Sequence, residues 1–190
     1  QSGKTLSFTT VSALASQNGF NAIIIIAGST TKLVDQTTKR LKNDLDIYSR
    51  SEISWNLFKN PKKNQIDEIS GTMEEGLFKE KPVLLITVMK NISHLKNLNA
   101  LFDSTRVKSL NLKVLIIDDE ADQASLNTKA SKKNEDEASA TYDLLKKIRN
   151  NITNHTYLQY TATPQGPLLI SILDILSPDF VKILTPGLRY

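Results

Sequence analysis

Val114–Ser125 reads VLIIDDEADQAS. Four apolar residues run directly into Asp118, Asp119, Glu120 and Asp122, and the chain then turns polar. A short continuous apolar run is typical of a strand buried on both faces. Carboxylates bunched behind it cannot follow it into the core, because an unpaired buried charge is too costly. The strand is therefore expected to end at an opening, where the acids meet a cation or water.

Similar runs recur on either side. Ala22–Ala27 (AIIIIA) and Val83–Val88 (VLLITV) read as buried strands, and Thr156–Thr161 (TYLQYT) as a further one. Lys4–Ser16, Lys32–Leu45, Ile92–Phe102 and Ser139–Asn151 carry apolar residues near helical spacing. Leu168–Leu176 is expected to form a short helix and Phe180–Leu184 a last strand. Ile47–Lys81 is polar, with room for a small element that the pattern does not place. Ser125–Ala138 is dense in charge and reads as a solvent-exposed loop. Strands alternating with helices predict an α/β fold: a mostly parallel sheet with helices on both faces. No internal repeat or linker divides the chain, so one domain is expected over residues 1–190.

Composition sets outer bounds. The 190 residues are 39% hydrophobic and 23% charged, as in an ordinary globular domain. The net charge of +4 is compatible with a nucleic-acid surface without requiring one. There is no cysteine, which removes disulfides and thiolate metal sites and favours a cytoplasmic setting. No apolar run nears the roughly 20 residues of a membrane span, so no membrane partner is expected.

In such sheets ligands gather at the carboxyl ends of the strands. The unusual residues fall there: Gly28 to Thr31, Thr87 to Lys90, Asp118 to Asp122, and Thr161 to Pro164. Gln1-Ser2-Gly3-Lys4-Thr5 matches the end of a phosphate-binding loop, G-x-x-x-x-G-K-[ST], with its first glycine before residue 1. The chain is thus expected to be a fragment that starts inside this loop. In that pattern Gly3 lets backbone N–H groups approach the phosphates. Lys4 reaches the outer phosphates and Thr5 binds Mg²⁺, at the positive end of the helix that follows. Asp119 then pairs with Thr5 on the metal, and Glu120 orients or deprotonates the attacking water. Asp118 and Asp122 support that pair. In Tyr160-Thr161-Ala162-Thr163-Pro164, two hydroxyls at a strand end suit a relay between nucleotide state and conformation.

QSGKT, DDEAD and TATP, in that order, resemble motifs one, two and three of the superfamily two helicase-like ATPases. Ser29 to Gln36 resembles their motif Ia. The finer wording is similar to the Z-one domain family: QSGKT, DQTTKR, LITVMKNISHL, IIDDEADQASLNT, then YTATP followed by SPDF. That family comprises large bacterial and archaeal proteins, often linked to restriction and defence gene clusters and described as endonucleases. Gln165-Gly166 departs from its pattern after the proline.

The resemblance implies a first RecA-like P-loop lobe that takes ATP and Mg²⁺. ATP binding falls to Gln1, Ser2, Gly3, Lys4 and Thr5, the metal to Thr5 and Asp119, catalysis to Lys4, Asp119 and Glu120, and coupling to Thr161 and Thr163. Thr30, Gln36 and Lys90 are candidates for touching nucleic-acid backbone; Arg40 and His94 carry weaker signals. The implied function is the ATP-hydrolysing lobe of a DNA-dependent motor. Its implied partners are DNA and a second RecA-like lobe, absent from this chain, or other subunits of a defence system. Two alternatives stand beside it. A nucleotide-dependent switch needs no nucleic acid. An endonuclease would use the acidic cluster directly, but the Glu-x-Lys triplet usual in such sites is absent.

Overall fold

All six residues of AIIIIA are buried, and they form the central strand β1, Ala22–Ala27. In the computed structural model, residues 2–47, 53–76, 82–121, 132–163 and 174–183 are described, with backbone alone for residues 2, 76 and 132–139. On one side β1 pairs with β3 (Pro82–Met89), which pairs with β2 (Ser54–Lys59). On the other it pairs with β4 (Val114–Asp119), which pairs with β5 (His155–Tyr160). The order is β2-β3-β1-β4-β5, and every pairing is parallel. This is the α/β sheet that the strand–helix alternation predicts.

The pleat sorts the core into two layers, because successive side chains on a strand point to opposite faces. Ile23, Ile25, Leu85, Leu115 and Ile117 pack against Phe8 and Ala15 of α1 (Ser2–Gln17) and Leu41 of α2 (Thr31–Asp44). Ile24, Ile26, Leu84, Ile86, Val114 and Ile116 pack on the opposite face. There they meet Ile69 and Met73 of α3 (Ile66–Gly76), Leu95 and Leu98 of α4 (Ile92–Asp103), Val107 of α5 (Thr105–Ser109) and Leu145 and Ile148 of α6 (Lys132–Asn151).

The right-handed rule for parallel crossovers explains the distribution. From β1 the chain moves outward through α2 to β2; every later crossover moves the opposite way through helices on the other face. The direction reverses between the neighbours β1 and β4, so a crevice opens at their carboxyl ends. No helix among the described residues is long and apolar enough to cross a membrane.

The structure corrects several local expectations. The unplaced stretch holds β2, a 3-10 turn over Lys63–Gln65, and α3. β2 was hidden because it is an edge strand whose six residues include only one buried side chain, Trp55. Helix α6 begins at Lys132 rather than Ser139, so Lys132–Ala138 is helix and not loop; a charged stretch without an apolar stripe shows no helical period in the sequence. Residues 180–183 form no strand, and Phe180, Val181 and Ile183 are exposed with no ladder to join. Residues 174–176 form a turn; the rest of the expected 168–176 helix lies outside the described residues.

Where β5 meets the end of α6, His155 Nδ1 donates to the Ile152 carbonyl at 2.6 Å, which leaves Nε2 to accept from Arg149 Nε at 3.1 Å. Burial holds the imidazole below its ordinary value of 6.5 and the Arg149 charge adds to this, against the opposing pull of the Ile152 bond. The unfolded chain therefore takes up a proton first. This contribution to stability is complete above pH 6.5 and is lost as pH falls below that value toward the folded one. Denaturation midpoints of wild type should fall more steeply between neutral and mildly acidic pH than those of His155→Gln. Phe8, wholly buried, also meets the Tyr160 ring edge-on at 5.8 Å. Phe8→Ala should cost about 3–5 kcal/mol in urea unfolding.

Candidate functional site

The pleat that builds the core also separates the acids. Asp118 continues the row of Val114 and Ile116 toward the α4 and α6 face, whereas Asp119 continues the row of Leu115 and Ile117 toward α1 and α2. The two neighbouring carboxylates therefore meet different cations. Asp119 Oδ1 lies 3.5 Å from Lys4 Nζ, and both side chains remain partly open to solvent. Asp118 Oδ1 lies 2.6 Å from Lys90 Nζ, with the side chains only 2% and 3% exposed. This second contact is a charge pair rather than an aligned hydrogen bond, since Asp118 Oδ1 has no directed donor. The other Asp118 oxygen accepts from the Tyr157 hydroxyl at 2.8 Å. Burial, followed by the Asp118 charge, holds the Tyr157 phenol well above its ordinary range. The expectation that all these acids line an opening is thus corrected for Asp118, which is buried and neutralised.

Lys4, Thr5, Asp119 and Glu120 line one cleft of about 30 Å³ at the β1–β4 switch point. Its remaining wall is the face of α2 that carries Leu33, Gln36, Thr37 and Arg40. Arg40 Nη1 donates to Thr5 Oγ1 at 3.2 Å. Two cations and two acids thus share the cleft. A water needs roughly 10–15 Å³ of such space, so the volume suits an ion with its water but not a whole nucleotide. The place a side chain at residue 3 would take is open, which leaves Gly3 room for an approaching anion.

Glu120 is the anomaly of the site. It has φ +56°, a left-handed backbone that side-chain-bearing residues seldom adopt. Its Oε2 is buried without a hydrogen-bond partner among the described residues. That oxygen sits 2.7 Å, and Leu33 Cδ1 2.6 Å, from where a Cβ on Gly28 would be, so the glycine that follows β1 gives both side chains room. An uncompensated buried oxygen on a strained backbone is a poor choice for stability and a usual one for chemistry.

The remaining candidates are scattered. Thr30 is exposed and caps α2, accepting from the Leu33 amide. Gln36 lines the cleft itself. Lys90, expected to face nucleic acid, is instead buried, and its ammonium also donates to the carbonyls of Asp119 and Glu120 at 2.8 Å each. An apolar strand drew it inward, and three acceptors took its charge. Thr161 follows β5 and accepts from the Thr163 amide at 2.9 Å. Tyr160 joins the end of β5 to the start of α1 through Ser7, 3.1 Å from its hydroxyl, and through Phe8. His94 belongs to the capped first turn of α4. Gln1, Asp122, Pro164 and Gln165-Gly166 lie outside the described residues, as does the side chain of Ser2. Arg40 is the residue the sequence undervalued. The available signal was its spacing, four after Gln36 on one helix, which sets both on one face.

Among the described residues no group of three or more His, Cys, Asp or Glu side chains could hold a metal alone. The donors that remain, Thr5 Oγ1 and Asp119, suit a cation such as Mg²⁺, which keeps waters and takes phosphate oxygens as ligands.

The five parallel strands among the described residues, with helices on both faces and charged residues gathered at the switch point, form a RecA-like α/β architecture. Within that class the chain is similar to the structure of a nuclease-deletion mutant of the Type ISP restriction-modification enzyme LlaGI in complex with a DNA substrate mimic. The TM-score is 0.54 and the identity 18%, over 92% of this chain and 14% of that one. The likeness is one of fold, and the chain spans a small part of that protein's length. No protein-family model and no curated protein matches the chain.

If strain and the orphaned oxygen are borne for function, Glu120→Gly should raise the unfolding free energy by about 1 kcal/mol. Chemical denaturation of the variant against wild type measures it; a loss of stability would mean the side chain supports the fold.

Proposed function

We propose that the chain is the ATP-binding and hydrolysing first lobe of a helicase-like, DNA-dependent motor in a restriction or phage-defence protein, and that its family is the Z-one domain family. The observation that carries the reading is the 3.5 Å approach of Lys4, from the phosphate-loop pattern, to Asp119, from the acidic strand end. That two residues so far apart in sequence stand this near each other supports the motif reading.

In this reading the backbone at Gln1, Ser2 and Gly3 and the Lys4 ammonium hold the phosphates, while Thr5 and Asp119 hold Mg²⁺. The ion, when bound, neutralises charge on the transferring phosphate. Lys4 leaves Asp119 to meet the phosphate. Glu120 orients the attacking water and accepts its proton on the oxygen that has no other partner. Arg40 turns from the Thr5 hydroxyl to add positive charge on the phosphate side. The small cleft leaves the sugar and base outside, for a second lobe to cover and to supply an arginine. Thr161 and Thr163 carry the coupling role, supported by the contact of Tyr160 with α1. DNA as the track is supported by the DNA-complexed enzyme of similar fold.

The metal-nuclease alternative loses support because Lys90 consumes Asp118, which leaves Asp119 and Glu120 as the described acids of the cleft. The test is ATP hydrolysis by the full-length protein with and without duplex DNA across a salt series. DNA should stimulate turnover, less so as salt rises. Lys4→Ala and Asp119→Asn should each lower it by about 100-fold or more, and Arg40→Ala by about tenfold. DNA cleavage that survives Lys4→Ala and is lost in Asp119→Asn would replace the motor with a nuclease.

A further inference from the structure

We infer that Lys90 is a positioning residue that sets the geometry of Asp119 and Glu120 from behind; the inference rests on the proposed nucleotide site. Lys90 follows the apolar run of β3, and its amide donates to the carbonyls of Ala27 and Gly28 at 3.2 and 3.4 Å. Its side chain then crosses behind β1 to β4. There the ammonium bonds the carbonyls of Asp119 and Glu120 and faces the Asp118 carboxylate. Tyr157 adds β5 by holding the second Asp118 oxygen. One lysine thus ties the carboxyl ends of β1, β3 and β4, with β5 joined through Asp118.

The contacts are specific to the turn. Two consecutive carbonyls aimed at one ammonium fix the peptide plane between Asp119 and Glu120. That plane belongs to the residue held at φ +56°. Without the clamp, Glu120 would relax toward the ordinary negative-φ region, and its carboxylate would leave the space beside Gly28. A buried ion pair is seldom the most stable filling for its space, since apolar substitutes of similar volume often do as well. Neutralising Asp118 alone would not need two bonds to the neighbouring carbonyls. Their presence points to Lys90 as the device that holds a strained turn in its working shape.

The test uses the full-length protein with Lys90→Met and the double variant Lys90→Met/Asp118→Asn. The single variant strands a buried carboxylate and should be destabilised. The double removes both charges, keeps an acceptor for Tyr157, and should regain most of the melting temperature. It should still show amide exchange about tenfold faster at Glu120 and Ala121 with β1 unchanged. Its kcat for ATP should fall about 100-fold, while the affinity for Mg-ATP shifts by less than about threefold. Wild-type exchange and turnover in the double variant would overturn the inference and leave Lys90 as a charge partner only. Faster exchange in the double variant, with no nucleotide binding by wild type, would uphold the clamp and sink the nucleotide reading. Should the double variant not fold, Lys90→Gln, which keeps an N–H₂ donor without charge, is judged by the same two readouts.

Discussion

The Lys90 ammonium stands 2.6 Å from Asp118 with both side chains all but cut off from water, at the point where neighbouring strands end. A pair in that position is costly to bury and more costly to break. It is available only because the sheet order brings β3 and β4 to either side of β1. It supplies the counter-charge of Asp118 on the far face of the sheet, while Asp119 and Glu120 line the cleft. The same ammonium bonds the carbonyls of Asp119 and Glu120, and so reaches the turn beyond β4 in which Glu120 is left-handed.

The division of labour among the acids is a consequence of the pleat. A period of two sends Asp118 to one face and Asp119 to the other, so one is spent on architecture and the other on the cleft. The cleft is balanced by Lys4 and Arg40, which hold Asp119 and Thr5. Under the proposed function those cations occupy the places that Mg²⁺ and phosphate would claim, and move onto the phosphates when these arrive. The RecA-like sheet supplies the frame for this exchange; the chemistry resides in a few side chains at its edge.

Much of the frame was legible in the sequence because the strands are buried on both faces. AIIIIA and VLLITV admit no other reading that fits their length, and their alternation with amphipathic segments leaves a parallel sheet as the solution. The edge strand SWNLFK escaped because half-buried residues carry no clean period. The first half of α6 escaped because charge without an apolar stripe resembles a loop. At the site, the meeting of Lys4 with Asp119 could be expected from motifs. The roles of Lys90 and Arg40 could not. A lysine after a strand reads equally as a surface contact or a buried clamp, and only the neighbouring strand ends decide between them. Arg40 needed the packing of α2 against the start of α1 before its spacing from Gln36 acquired meaning.

Under the proposed function, Lys4, Thr5, Asp119 and Glu120 form one site for a metal–nucleotide complex. Electron paramagnetic resonance of Mn²⁺, titrated into the full-length protein with a non-hydrolysable ATP analogue, tests it most directly. The expected result is a bound Mn²⁺ signal that requires the nucleotide, is broadened by phosphorus-coupled ligands, and is lost in Thr5→Val. Binding of Mn²⁺ without nucleotide, or a signal unchanged by Thr5→Val, would contradict it.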